Sequence, residues 1–170
     1  MSQYAQPFEK IVSVRILITG GTFDKEYDEI TGELYFKDTH MGEILNLGRS
    51  RLDVKIKKLM LIDSLDMTDD DRKVILDSCI TVDEEQIVIT HGTDTLIKTG
   101  KFLEKNLNEK LVILTGALRP ERFTNSDAAL NIGTAIGAAN ILSKGIYIAM
   151  NGLIQTANSA KRDKKTDCFY

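Results

Sequence analysis

Short apolar runs of strand type recur along this chain, and segments of helical type separate them. The runs are rich in β-branched residues and end on polar or glycine-containing turns; they cover residues 14–19, 54–61, 86–90, 111–115 and 145–150. Regular alternation of this kind is typical of a parallel sheet covered by helices on both faces. The sequence therefore predicts the α/β class, as a three-layer sandwich with a mainly parallel five-stranded sheet and right-handed crossovers.

Size and charge narrow the classes of function. The chain has 170 residues, so residues 1–170 are predicted to form a single domain with a full core. The net charge is −3, from 22 Lys+Arg and 25 Asp+Glu, and no long basic run precedes the last dozen residues. Nucleic acid is therefore not an expected partner. The first ten residues are polar, and no apolar run reaches the roughly 18 residues that span a bilayer, so no membrane or export role is expected.

The two cysteines, Cys79 and Cys168, lie far apart and have no Cys-x-x-Cys spacing. That arrangement predicts reduced thiols in a cytoplasmic protein and offers no zinc site. The sequence also lacks the Gly-x-Gly-x-x-Gly dinucleotide fingerprint and the Gly-Lys-Thr/Ser ending of a phosphate loop, so it implies no cofactor and no metal.

The first strand ends on two adjacent glycines, Gly20 and Gly21, with Thr19 and Thr22 on either side. Adjacent glycines allow a sharp turn and let another molecule approach the main-chain N–H groups. The hydroxyl of Thr22 would then lie at the carboxyl end of a central strand, the edge where open α/β sheets bind ligands. A strand-to-helix turn without chemistry has the same pattern and stays an alternative.

A later strand ends in a related way, in His91-Gly-Thr-Asp-Thr95, and Ser64 and Arg119 follow two others. A threonine hydroxyl needs a base before it can attack a carbonyl. Thr93 adjoins Asp94, so a lysine from another element could act as that base while the carboxylate holds it. Main-chain N–H groups at Gly21, Thr22 or residues 92–94 could hold a developing oxyanion. Together these residues predict acyl transfer.

Histidine chemistry is less favoured. His40 and His91 are the only histidines, and His91 precedes a glycine at a tight turn, where its ring can simply satisfy backbone groups. No Gly-x-Ser-x-Gly elbow supports a Ser-His-Asp triad.

Thr68, followed by three aspartates, has the form of a capping box and predicts a helix N-terminus rather than a metal site. Residues 24–38 are predicted to form either a long binding loop or a small hairpin centred on Thr31-Gly32.

Taken together, Thr19-Gly-Gly-Thr-Phe23 and Thr90-His-Gly-Thr-Asp-Thr95 resemble the two signature motifs of the bacterial-type L-asparaginase family. The resemblance extends through Ser64-Leu-Asp-Met67 and Gly116-Ala-Leu-Arg-Pro120, followed by Ser126-Asp127 and Asn131, and covers residues 14–167. It implies the fold of that family's N-terminal domain and hydrolysis of the side-chain amide of asparagine, or a related small amide, through a threonine acyl-enzyme.

On this resemblance Thr22 is the first nucleophile, assisted by a tyrosine from the following loop. Thr93 would activate or attack with the help of a lysine and Asp94, while Ser64 and Asp94 would hold the carboxylate and ammonium groups of a small amino-acid substrate. The full set of implied substrate-binding residues is Gly21, Ser64, Asp66, Gly92, Thr93 and Asp94. The resemblance also implies a homo-oligomer, either a dimer or a tetramer.

Three departures from the family pattern leave alternatives open. A gap-free count from Thr22 favours Tyr35 as the assisting tyrosine, whereas a shortened loop favours Tyr27. Lys161 best matches the family lysine, but a gap-free count falls on Arg162, which stays protonated and cannot serve as a base. Family members are usually about twice as long, with a smaller C-terminal domain that completes a neighbour's active site, and we expect no such domain here.

Two other functions fit the same residues. A non-catalytic module could keep the pocket to bind a small amino acid, and an amidase domain could work only beside a partner chain, as in tRNA-dependent amidotransferases. Ammonia release from asparagine by the chain alone would separate these functions from an independent amidohydrolase.

Overall fold

The computed structural model describes residues 13–170; the polar segment 1–10, on which the expectation about export depends, lies outside them. Eight strands form in the described part, namely β1 (Ser13–Gly20), β2 (Lys25–Tyr27), β3 (Leu34–Phe36), β4 (Asp53–Ile62), β5 (Gln86–Thr90), β6 (Leu111–Thr115), β7 (Gly145–Met150) and β8 (Leu153–Thr156). The helices in that part are α1 (Met41–Leu47), α2 (Asp69–Thr81), α3 (Leu96–Asn106) and α4 (Ala128–Ala139).

The main sheet has the strand order β4-β1-β5-β6-β7-β8, and each neighbouring pair from β4 to β7 is parallel. Side chains alternate between the two faces of β1: Leu17 packs with residues of α2 and α3, whereas Ile16 and Ile18 pack with residues of α1 and α4. Burial on both faces explains why the central strands are almost continuously apolar. The predicted three-layer α/β sandwich with a mainly parallel sheet is confirmed.

The sheet has six strands rather than the predicted five, because an antiparallel edge strand follows β7. Asn151 and Gly152 form the connection, with φ angles of 54° and 75°. Two consecutive residues at positive φ make the tight turn that joins antiparallel strands, and Asn-Gly is the pair that best tolerates it. The chain therefore reverses at once, and Leu153–Thr156 pairs with β7. The polar composition of residues 151–170 concealed this strand.

Residues 24–38 form the small hairpin that was one of the two alternatives. In this hairpin β2 pairs with β3, so that Glu26 lies opposite Tyr35 and Tyr27 lies opposite Leu34. The amide of Gly32 donates to the carbonyl of Asp28 in the connecting turn, at 2.8 Å.

The capping box at the start of α2 is confirmed. The Thr68 side chain accepts from the Asp71 amide at 3.2 Å, and the Asp71 carboxylate accepts from the Thr68 amide at 2.8 Å. The three aspartates are thus explained by the helix N-terminus.

Both cysteines are free, and their surroundings differ. Cys79, a residue of α2, is buried in the core against the sheet, and this burial raises the pKa of its thiol to about 12, while Cys168 is exposed.

Within residues 13–170, no helix combines the length and apolar character that crossing a bilayer requires. In that same range no three His, Cys, Asp or Glu side chains are grouped so as to hold a metal ion.

Candidate functional site

Four neighbouring strands end at one edge of the sheet and bring their turns together. The amide of Gly21, just beyond β1, donates to the carbonyl of Ile62 at the end of β4, at 2.9 Å. The amide of His91, just beyond β5, donates to the carbonyl of Thr115 at the end of β6, also at 2.9 Å. Because the four strands are parallel, all of these ends face the same way, as expected for a ligand-binding edge.

The turn after β1 touches the turn after β5. A Cβ atom built on Gly21 would overlap the Cα and N atoms of Gly92, and Gly21 has a φ of 75°. Only glycine fits where two backbones approach this closely at positive φ. Thr22 and Thr93 directly follow these two glycines, so the threonines start from adjoining backbone.

Ser64 packs against the same contact. A Cβ atom built on Gly92 would lie 2.5 Å from the Ser64 hydroxyl oxygen. The Ser64 side chain is buried, and its hydroxyl has no hydrogen-bond partner among residues 13–170. Leaving a buried hydroxyl without a partner costs free energy, so this oxygen is a candidate to bind a ligand group. Asp66, in the same turn, is exposed and its amide donates to the carbonyl of Asp63.

The two threonine side chains differ in exposure. Thr22 is half-buried in a short 3-10 turn, residues 22–24, whereas Thr93 is buried against the turn after β6. Within residues 13–170 no hydrogen bond is described for either hydroxyl, and neither is among the fully buried atoms that lack a partner. Both hydroxyls are thus unengaged by neighbouring protein groups in this part of the chain.

Arg162, and not Lys161, contacts Asp94. The Arg162 guanidinium donates to Asp94 at 3.0 Å and to Asp167 at 2.9 Å. The Lys161 main chain pairs with Tyr170, next to the bridge between Arg162 and Phe169, so this segment is extended. Successive side chains of an extended segment point to opposite sides. We therefore expect the Lys161 side chain to point away from Asp94.

The two candidate tyrosines lie on opposite faces of the hairpin. Lys25 and Tyr27 share one face, and the Lys25 ammonium donates to Asp63, next to Ser64, at 2.6 Å. Glu26 and Tyr35 share the other face, where Glu26 lies 2.9 Å from the His40 ring. Only the face of Lys25 and Tyr27 thus has a described contact with the turn that carries Ser64.

His91 is fully buried and has a structural environment. Its Nδ1 atom lies 2.8 Å from the carbonyl oxygen of Gly92, and its Nε2 atom lies 2.8 Å from the hydroxyl of Thr99. Burial lowers the pKa of His91 to about 4, against the opposing effect of the Gly92 hydrogen bond. The ring is therefore neutral at neutral pH and satisfies backbone groups, which was the alternative to a catalytic role.

Asp24, which sequence reasoning did not single out, lies two residues after Thr22 and is fully buried. Neither of its carboxylate oxygens has a well-formed hydrogen bond to any residue within 13–170. Burial raises the pKa of Asp24 to about 7; the Thr39 hydroxyl and the His40 amide oppose this rise, and Asp38 and Glu121 add to it. The carboxyl group is half-protonated near neutrality. In the sequence, a single aspartate after Thr-Phe gives no indication that its side chain is buried.

We expect Asp24→Asn to be more stable than the wild type at pH 8. The folded pKa lies above the unfolded value of 3.8, so the protonated form favours folding, and its contribution is complete below about pH 4 and lost as the pH rises through 7. Urea unfolding should give Asp24→Asn an advantage of about 2 kcal/mol at pH 8 that shrinks at pH 5. The exposed Asp77→Asn is the matched control, and equal pH slopes for Asp24→Asn and wild type would contradict the assignment.

Comparison with known proteins identifies a matching family model and several relatives. The family model described as "Asparaginase, N-terminal" matches residues 13–169. One component of the glutamyl-tRNA(Gln) amidotransferase of Methanococcus maripaludis is 34% identical over 154 residues, covering 84% of this chain and 36% of that protein. Glutaminase-asparaginase of Pseudomonas fluorescens is 30% identical over 177 residues, covering 94% of this chain and 48% of that protein.

The solved structures give the same result for the fold. The thermostable L-asparaginase from Thermococcus kodakarensis superposes with a TM-score of 0.78 at 29% identity, covering 89% of this chain and 48% of that one. The chain thus spans between about a third and a half of the length of these relatives.

Proposed function

The chain belongs to the asparaginase family, and from this premise we propose that it is an amidohydrolase that converts the side-chain amide of L-asparagine, or of a related small amide, to the acid and ammonia. One observation carries the proposal: the turns at Gly21 and Gly92 are in contact beside Ser64, so the main chains of Thr22 and Thr93, the residues that follow these glycines, begin next to each other.

In this reaction the Thr22 oxygen attacks the amide carbon, and the Thr22 proton passes to the leaving nitrogen. Ammonia departs and an ester between Thr22 and the substrate acyl group forms. Water then attacks the ester carbon, releases the acid and returns a proton to Thr22. The main-chain N–H groups of the Gly21–Thr22 and 92–94 turns would hold the negative oxygen that develops in both steps.

The remaining residues would bind the two charged groups of the amino-acid substrate. Ser64, with its unpartnered hydroxyl, would bind the α-carboxylate, and Asp94 would bind the α-ammonium. Asp66 and Gly92 complete the substrate contacts that the family resemblance implies. Of the two tyrosines we favour Tyr27, because it shares the Lys25 face that contacts the Ser64 turn, over Tyr35, which shares the Glu26 face.

The contact of Arg162 with Asp94 changes the role that Thr93 can have in the proposed site. A guanidinium stays protonated at any physiological pH, so it can orient Asp94 but cannot take a proton from Thr93. The proposal therefore assigns bond formation to Thr22 and makes Thr93 a hydrogen-bonding group. Lys161 would take the role of base only in a conformation that turns it toward Asp94.

A second candidate function is an amidase component that works with a partner chain. It is favoured by the identity of 34% with the amidotransferase component over 84% of this chain. Self-association into a dimer or tetramer would likewise bring further residues to an open site. In either case we place the reaction in the cytoplasm, in line with the free thiols of Cys79 and Cys168.

The test is an assay of the full chain alone with L-asparagine and with L-glutamine, measuring ammonia and the product acid. We expect ammonia and aspartate in equal amounts, and with hydroxylamine present we expect the aspartyl hydroxamate, because hydroxylamine intercepts an acyl-enzyme. No release above the protein-free rate would reject the independent amidohydrolase. Binding of L-aspartate without turnover would then favour the partner-dependent amidase or a simple binding module.

A further inference from the structure

We propose that Arg72, a buried residue of α2, is a positioning residue that fixes the substrate-binding turn at Ser64 by orienting the hydroxyl of Thr95. This inference rests on the proposed function, since it concerns the residue that would bind the substrate carboxylate. Arg72 itself is described in contact with none of the predicted substrate ligands.

Arg72 is unusual for its burial. Its side chain is 1% exposed, and its ion-pair partner among the described residues, Asp69, is itself 71% exposed. Taking a guanidinium out of water is costly, and a largely solvated carboxylate compensates only part of that cost. The remaining donors of Arg72 are used on neutral acceptors, namely the hydroxyls of Thr95 and Thr99 and the carbonyls of Met67 and Thr68.

Arg72 fixes the direction of the Thr95 hydroxyl. A guanidinium only donates, so Thr95 must accept at its oxygen from Arg72 Nη2, at 3.1 Å. The Thr95 proton is then directed to another acceptor, and the carbonyl oxygen of Ser64 lies 2.9 Å away. The Arg72 guanidinium thus holds the main chain of the Ser64 turn through the hydroxyl of Thr95.

A second relay from the same guanidinium reaches Gly92. Arg72 Nε donates to Thr99 at 3.1 Å, which directs the Thr99 proton toward His91 Nε2, at 2.8 Å. The other ring nitrogen, Nδ1, faces the Gly92 carbonyl at 2.8 Å and must therefore carry the proton. The contacts of the two ring nitrogens thus assign the same tautomer of His91. Since Gly92 packs on Ser64, the two relays hold opposite sides of one contact.

The test compares Thr95→Val, Thr95→Ser, Arg72→Met and the double variant Arg72→Met/Thr95→Val, all in the full chain. We measure the Kd of L-aspartate by calorimetry, KM and kcat for L-asparagine, and thermal unfolding. Thr95→Val and Arg72→Met should each weaken L-aspartate binding and raise KM about tenfold, while kcat falls less than threefold. Thr95→Ser keeps the hydroxyl and should bind within twofold of wild type.

The double variant separates positioning from a purely structural role. If Arg72 acts through Thr95, the double variant should bind no more weakly than the worse single variant. It should also recover stability relative to Thr95→Val, because no unpaired guanidinium is left. A Thr95→Val protein that binds like Thr95→Ser would overturn the proposal, and so would single effects that multiply to about a hundredfold in the double variant.

A readout that needs no ligand keeps this inference separate from the proposed function. The amide of Leu65 belongs to the same peptide group as the Ser64 carbonyl, so its NMR signal should move in Thr95→Val and Arg72→Met but not in Thr95→Ser. An unmoved signal would overturn the positioning role. A wild-type chain that neither binds L-aspartate nor releases ammonia, with the Leu65 signal moving as expected, would instead reject the function and leave the relay in place.

Discussion

Thr22→Ala is expected to lower the rate of ammonia release from L-asparagine by about 10³-fold or more, because it removes the oxygen that would form the acyl bond. The protein should stay folded, because Thr22 is only half-buried and no hydrogen bond of its hydroxyl is described within residues 13–170. A change in stability within about 1 kcal/mol is therefore expected. The measurement is a coupled ammonia assay, together with thermal unfolding of the same preparation.

Two further variants make the Thr22 result specific. Thr22→Ser keeps a hydroxyl at this position, as a primary instead of a secondary alcohol, and should retain measurable activity. Thr134→Ala removes a hydroxyl of α4 whose described hydrogen bond is to the carbonyl of Leu130 in the same helix, and it should leave the rate within twofold of wild type. If Thr22→Ala kept a tenth of the wild-type rate or more, another group would have to be the nucleophile.

Gly21→Ala is expected to destabilise the fold by about 5 kcal/mol or more, which approaches the whole stability of an ordinary domain. The new Cβ atom would overlap the Gly92 backbone and lie 2.8 Å from the carbonyl carbon of His91. The residue would also keep a φ of 75°, which is unfavourable for alanine. The amide of Gly21 is tied to Ile62, so the turn cannot move aside without losing that bond. Urea unfolding, or the yield of folded protein, measures the effect.

Gly133→Ala is the matched control for that substitution. Gly133 lies within α4, and a Cβ atom built there meets no other atom within 4 Å. Alanine favours a helix over glycine, so this variant should be more stable than wild type by up to about 1 kcal/mol. A Gly21→Ala protein as stable as wild type would mean that the two turns do not touch, and the proposed site would fail with them.

The buried strands could be predicted because burial on both faces leaves a continuous apolar run. Three strands, Gln86–Thr90, Leu111–Thr115 and Gly145–Met150, have the predicted bounds. The edge strand Leu153–Thr156 was missed because it is only four residues long and the segment around it is polar, so its exposed Leu-Ile pair did not form an apolar run. The Asn151-Gly152 pair after a strand could have predicted this edge strand, because Asn-Gly tolerates the two positive φ angles of a tight hairpin turn.

The site could be predicted in part from the order of its motifs along the chain. Glycines at strand ends indicated where backbones approach, and Gly21 and Gly92 do touch. Which of two adjacent basic residues faces Asp94 depends on the register of an extended segment, and sequence counting alone left Lys161 and Arg162 open. The raised pKa of Asp24 comes first from its burial, and two groups that also affect it, the Thr39 hydroxyl and the Glu121 carboxylate, lie far from it in sequence.

The strand-end turns and the β2–β3 hairpin are held to the fold by different kinds of contact. The turns are bonded into the middle of the sheet, so parting Gly21 from Ile62 or His91 from Thr115 requires the strands themselves to separate. The hairpin is held to the rest of the chain by side-chain pairs such as Lys25 with Asp63, each worth only about 1 kcal/mol. We therefore expect displacement of the hairpin to cost much less free energy than separation of the two glycine turns.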